Sequence, residues 1–123
     1  MGPVEKFGEF IVAHLRDSAI DIADDLLEER WKSPCTQELQ FAVSRFSISE
    51  KDLIRRVVVA SIESGIHAFL FALSKTREAN NAVSVFVGGQ NVAALSDELH
   101  GETFSEEEWF AKFSKHGPQP AAA

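Results

Sequence analysis

Five residues near the start of the chain, His14, Asp17, Asp21, Asp24 and Glu28, recur at spacings of three and four, so they line one side of any helix that contains them. Side chains at those offsets can aim oxygen and nitrogen ligands at a common cation. A metal centre inside a helix bundle, however, draws Glu-x-x-His pairs from facing helices. No Glu-x-x-His occurs in this sequence, and no metal or other cofactor is expected. The acidic row reads more simply as a solvated helix side, or as a surface that neutralises a basic partner protein through Asp17, Asp21, Asp24 and Glu28.

A second pair, Glu63 and His67, is four residues apart, a spacing that lets a carboxylate fix an imidazole tautomer and raise its basicity. A general base is built this way. Asp52 and Arg56 fall on the same seam, where the four residues also read as a plain charge ladder. Asp97, His100 and Glu102 lie further on, in a stretch expected to be a loop. Were Glu63, His67, Asp97 and His100 to converge, they would form the best catalytic or ligand-binding cluster of the chain. Cys35 stands just inside a helix start, where the dipole can lower a thiol pKa, but it has no Cys-x-x-Cys partner and reads as an unreactive small residue. Gly88 and Gly89 lack the lysine and following helix of a phosphate loop and read as a hairpin turn. His14 and His116 need no special role.

The elements that must hold these residues follow from apolar periodicity. Val4, Phe7, Ile11, Leu15, Ala19, Ile22 and Leu26 mark one amphipathic helix from Val4 to about Arg30, with Phe10, Ile20 and Leu27 outside its main stripe as a second contact surface. Ser33 before Pro34 predicts an N-cap and a short helix to about Phe46. Ser49 with Asp52 resembles a capping box opening a third helix to about Ser74. That helix is apolar on most sides, which predicts an interior rod wrapped by the rest of the chain. Its small residues Ser61, Gly65, Ala68 and Ala72 are expected to receive the first helix. Val83, Val85 and Val87 alternate with polar or aromatic neighbours, and Gly88 and Gly89 turn the chain into a second strand over Gln90 to Leu95. Ser105 with Glu108 predicts a short helix bearing Trp109, Phe110 and Phe113, stopped by Gly117 and Pro118. The fold class expected is mainly helical α+β, a three-helix core with one β-hairpin and a short C-terminal helix. A single domain over 1–117 and a disordered tail over 118–123 complete it.

Bulk composition narrows the partners. With 123 residues, 45% hydrophobic and 25% charged, the chain matches one ordinary globular domain. Ten Phe and no Tyr make its apolar side chains bulky and poor in polar handles. The net charge of −7 disfavours nucleic acid and anionic membranes, which require a basic stripe. A single cysteine rules out an intrachain disulfide, no apolar run is expected to approach the roughly 20 residues of a membrane helix, and the opening residues lack a signal-peptide profile. Lys6 also stands where a myristoylation signal wants Ser or Thr. These point to a cytoplasmic setting.

The stretch Gly-Ile-His-Ala-Phe-Leu-Phe-Ala-Leu from Gly65, followed by Gly-Gly-Gln-Asn-Val-Ala-Ala-Leu-Ser-Asp-Glu-Leu-His-Gly from Gly88, resembles small bacterial proteins of no assigned function. The resemblance covers about a third of the chain, implies a bacterial origin and supplies no activity. The functional expectation is an interaction module that self-associates, through its hairpin edge and the extra apolar residues of the first helix, Phe10, Ile20 and Leu27, or binds a basic partner. The rival is a small enzyme or ligand binder using Glu63, His67, Asp97 and His100.

Overall fold

The computed structural model describes residues 1–79, 83–96, 99–103 and 108–118. The chain opens with one helix in three parts: α1 over Pro3–Ile11, a π-helical turn over Val12–Asp17 and α2 over Ser18–Leu27. Pro3 stands at the helix start, where its missing N–H does no harm. The π turn changes which residues face inward, because its wider loops insert one extra residue into the helical repeat. Before it, Phe7 and Ile11 are buried as the periodicity predicts. After it, the buried positions are Arg16, Ile20, Ala23 and Leu27, each one residue later than the expected Leu15, Ala19, Ile22 and Leu26. Leu15 and Ile22 are left exposed, and two of the three residues assigned to a second contact surface, Ile20 and Leu27, belong to the interior instead. Only Phe10 of that trio stands in solvent, 62% exposed.

The helix ends on Glu29, whose φ of 59° turns the backbone left-handed. Arg30 N–H donates to the Asp25 carbonyl and Glu29 N–H to that of Leu26, the pair of bonds that closes a Schellman cap. The linker after it is pinned by Gln40. The buried Gln40 amide accepts from Trp31 N–H at 3.2 Å and donates to the Trp31 carbonyl at 2.6 Å. Gln40 lies on α3, Gln37–Val43, which follows a 3-10 turn over Pro34–Thr36. Ser33 precedes Pro34 as expected, but its hydroxyl meets the Cys35 sulfur at 2.9 Å rather than a backbone N–H.

Helix α4, Ile48–Ala79, spans 32 residues. Its capping box is Ser47 with Glu50, two residues before the expected Ser49 and Asp52: Ser47 N–H donates to Glu50 Oε1 at 2.8 Å, and Glu50 N–H to Ser47 Oγ at 3.1 Å. The longer Glu side chain reaches back where Asp would fall short. The helix also passes the expected end at Ser74, since no Gly or Pro follows to break it before Ala79. By length and composition its span Ile48–Lys75 is apolar enough to cross a membrane, with Glu63 the one Asp, Glu, Lys or Arg between Val57 and Ser74, against the expectation that no apolar run approaches that length.

The expectation that α4 is an enclosed rod does not hold. Val59, Glu63, Ile66, Leu70 and Leu73 form a single buried stripe. Elsewhere Leu53 is 56%, Val57 59%, Phe69 42% and Phe71 44% exposed. The first helix packs on the buried stripe and not on the small residues. Ser61, Gly65, Ala68 and Ala72 face outward, and a Cβ built on Gly65 would meet nothing within 4 Å.

The hairpin pairs β1, Phe86–Val87, with β2, Gln90–Asn91, in the register Phe86 to Asn91 and Val87 to Gln90. Gly88 and Gly89 both take positive φ, 59° and 80°, as a tight two-residue turn requires. The second strand is shorter than expected: Asn91 caps a helical turn, α5 over Val92–Leu95, by accepting from Ala93 N–H at 3.0 Å. A 3-10 turn, Leu99–Glu102, then lies on α4, and α6, Trp109–Phe113, packs against α1. The expected cap at Ser105 and the tail beyond 118 lie outside the described residues. Phe7, Ile11, Val12, Ile66, Leu70, Val92, Leu99, Trp109 and Phe110 share one core. Phe7 meets Trp109 edge-on at 6.0 Å, and Gly8 touches the same indole so closely that a Cβ there would overlap it. The architecture is the mainly helical α+β fold anticipated from the sequence, with one hairpin and a short C-terminal helix.

Candidate functional site

The π turn brings a charged side chain into the interior. Arg16 is 1% exposed, with its guanidinium carbon 4.5 Å above the Phe110 ring. Its Nη1 donates to Ser114 Oγ at 2.7 Å, and its Nη2 lies 3.5 Å from Glu63 Oε2. Ser114 in turn donates to Asp17 Oδ1 at 2.6 Å, and Lys115 N–H donates to Asp17 Oδ2 at 3.0 Å. Arg16 Nε finds no partner among the described residues. Burial pulls the Arg16 guanidinium below its ordinary pKa against the opposing pull of Glu63 and Asp17, and burial pushes the Glu63 carboxyl up against Arg16. For both groups desolvation outweighs attraction, as it does in most buried ion pairs.

The acidic row of the first helix is largely spent inside the chain. Asp17 holds the Ser114 hydroxyl and the Lys115 N–H as above. Asp21 receives Lys115 Nζ at 2.6 Å and meets His116 Nε2 at 2.8 Å, and those two hydrogen bonds hold its carboxyl below the usual range. Asp24 pairs with Arg55 of α4 at 2.7 Å. Glu28 is exposed and borders a small mixed-charge groove with Asp24, Lys51, Asp52 and Arg55. His14 stacks on Phe10 at 4.7 Å and does not join the acids. Among the described residues no three His, Cys, Asp or Glu side chains are grouped to hold a metal ion.

The proposed catalytic cluster divides. His67 and His100 do meet, their rings edge-on at 5.1 Å, because the 3-10 turn carrying His100 closes over α4. Phe71 packs on His100 at the same 5.1 Å, and His100 Nδ1 is buried with no hydrogen-bond partner among the described residues. Glu63, however, serves Arg16, one turn away on the buried side. Asp97 lies outside the described residues. Glu102, the other loop acid of that set, accepts from Ser96 Oγ at 3.3 Å, and burial followed by its neighbour Glu108 raises its carboxyl.

Two features escaped the sequence. Arg16 and the Ser114–His116 strap were invisible because a regular 3.6-residue repeat places Arg16 beside the polar row; only the extra residue of the π turn swings it inward. The other is a groove of about 420 Å³ lined by Ala19, Ile22, Leu26, Leu39, Val58, Ile62 and neighbouring apolar residues of α2, α3 and α4. It borders the exposed side of α4.

Compared with family models, with curated proteins and with solved structures, the chain matches none. The functional reading therefore rests on the geometry.

Proposed function

We propose that this chain is a non-catalytic protein-interaction module that works as a homo-oligomer, with the outward side of α4 as its interface. The observation that carries this reading is the exposure of Leu53, Val57 and Phe71 along one seam of the helix, with Phe69 exposed on the side that borders an apolar groove. Large contiguous apolar surfaces on a small domain mark places where another surface docks. The hairpin edge, first choice from the sequence, offers strands of only two residues each and few free backbone groups. A basic partner at the acidic row would have to displace Arg55, Lys115 and His116 from their carboxylates. A catalytic reading needs Glu63 beside His67, and the carboxylate is committed to Arg16.

Sedimentation velocity of the full chain at micromolar concentration tests the proposal. A dimer or larger closed oligomer is expected, and Val57→Glu should weaken it at least tenfold while leaving the circular dichroism unchanged, since Val57 is already 59% exposed. A monomer at those concentrations, whether free or recovered on neutral lipid vesicles, would overturn it.

A further inference from the structure

A cavity of about 50 Å³ lies where the first helix, α4 and the strap after Ser114 meet. Arg16, Ile20 and Val59 are its buried walls, and Arg55, His116 and Pro118 are walls that reach solvent. Its polar walls are thus two guanidiniums and one imidazole, and among the described residues no carboxylate lines it. We infer that this cavity is a binding site for a compact oxyanion of the phosphate class, held between the Arg16 and Arg55 guanidiniums with His116 beside them.

Arg16 is 1% exposed, spends Nη1 on Ser114 and sets Nη2 toward Glu63, so Nε is the guanidinium nitrogen that is buried without an acceptor among the described residues. Leaving a buried charged donor unsatisfied is costly, and an anion oxygen satisfies it with a charge-assisted bond. Arg55 gives Nε and Nη2 to Asp24, at 2.7 and 3.4 Å, which fixes its fork while one edge of the side chain still reaches the cavity. The two guanidiniums are close enough to feel each other: burial lowers the Arg16 pKa, Glu63 and Asp17 oppose it, and the charge of Arg55 adds to the lowering. A water in the cavity would satisfy the lone N–H but leave that repulsion standing, whereas an anion between the two cations relieves both. The space is also several times the roughly 10–15 Å³ that one buried water needs. His116 is oriented by Asp21, 2.8 Å from Nε2, and by its own N–H, which donates to Ser114 Oγ at 3.1 Å, so Nδ1 is the ring nitrogen that Asp21 does not use. A planar guanidinium fork matches the paired oxygens of an oxyanion, an edge that chloride lacks.

Titration of the full chain with sodium phosphate, at fixed pH and with ionic strength held constant by sodium chloride, tests the site through the arginine Nε–H signals of its nitrogen-15 NMR spectrum. The Arg16 signal should shift along a saturating curve. Arg55→Gln should weaken that binding about tenfold or more, because it removes one of the two forks. His116→Gln, which keeps a donor for Asp21, should weaken it too, and Arg45→Gln, an exposed arginine beside Phe41, should leave it unchanged. Methyl phosphate in a parallel titration distinguishes a free ion from the end of an ester, the tighter of the two being the form the cavity takes. An Arg16 signal in the unaltered chain that stays still, or drifts without saturating, would mean that the cavity holds water and would overturn the inference, whether or not the variants fold. An equal response to chloride alone would overturn the choice of an oxyanion.

Discussion

Glu29 is the one non-glycine residue described with a left-handed backbone, and it sits at the position after a helix where glycine is favoured. A Cβ in that region costs roughly 1 kcal/mol, which glycine avoids. The Schellman bonds to Asp25 and Leu26 are made by backbone, so they survive the change. Glu29→Gly should therefore stabilise the fold by about 1 kcal/mol, read as a rise in urea midpoint at unchanged slope. At this scale the sequence was partly legible. Pro3, the hairpin glycines and the apolar character of Phe7, Ile66 and Trp109 signal their roles by residue type alone. The capping box of α4 was misplaced because Ser47 and Ser49 both stand three residues before an acid, and only side-chain reach separates them. His116 carried no signal, since its partner Asp21 lies 95 residues earlier in the chain.

Among elements, the first helix teaches most. Its apolar pattern is regular from Phe7 to Leu26, yet the buried set jumps by one position after Ile11. The π turn explains the jump, and it also predicts what removing it would do. Deleting Ala13, an exposed residue within that turn, converts the segment to ordinary α-helix and carries Arg16, Ile20, Ala23 and Leu27 back by one position each. In a regular repeat those positions fall on the same stripe as Phe7 and Ile11, so the core is kept. The deletion should fold with its thermal midpoint preserved or raised, whereas inserting a second alanine after Ala13 should swing the same residues out by about 100° and unfold the chain. Circular dichroism melts of the two variants decide it. Helix existence and type were readable here because long apolar periodicity survives noise. The strand over Gln90 to Leu95 was not, because Asn91 can continue a strand or cap a helix and the core contacts of Val92 and Ala93 select the cap.

For the whole molecule, an all-round apolar helix implies that something covers it, and the described chain covers one side. The first helix, the 3-10 turn at Leu99 and α5 supply the cover, and they bury the Val59 to Leu73 stripe, with Asp24 holding Arg55 and His100 meeting His67 and Phe71 at its margins. The candidate interface was thus written in the composition of α4, but its location was not, since exposure depends on where every other segment ends up. What joins those segments is Arg16, which reaches Glu63 on α4, Phe110 on α6 and Ser114 beyond it. Removing one partner of such a pair leaves a buried charge alone, a loss of about 3 kcal/mol or more, while replacing both with apolar side chains of similar size is often neutral or better. Glu63→Leu alone should therefore cost about 3 kcal/mol, and Arg16→Met with Glu63→Leu should recover most of it, measured by urea unfolding at one fixed protein concentration so that association contributes equally. Asp17 keeps Ser114 Oγ and Lys115 N–H as donors in both variants, so the C-terminal strap stays anchored, and the part of the loss that the double variant does not recover includes the Asp17 carboxylate's contact with Arg16 at 3.9 Å. If the double variant were as unstable as the single one, the ion pair itself would be the tie between α4 and the first helix, and burial of Arg16 over Phe110 would count for little.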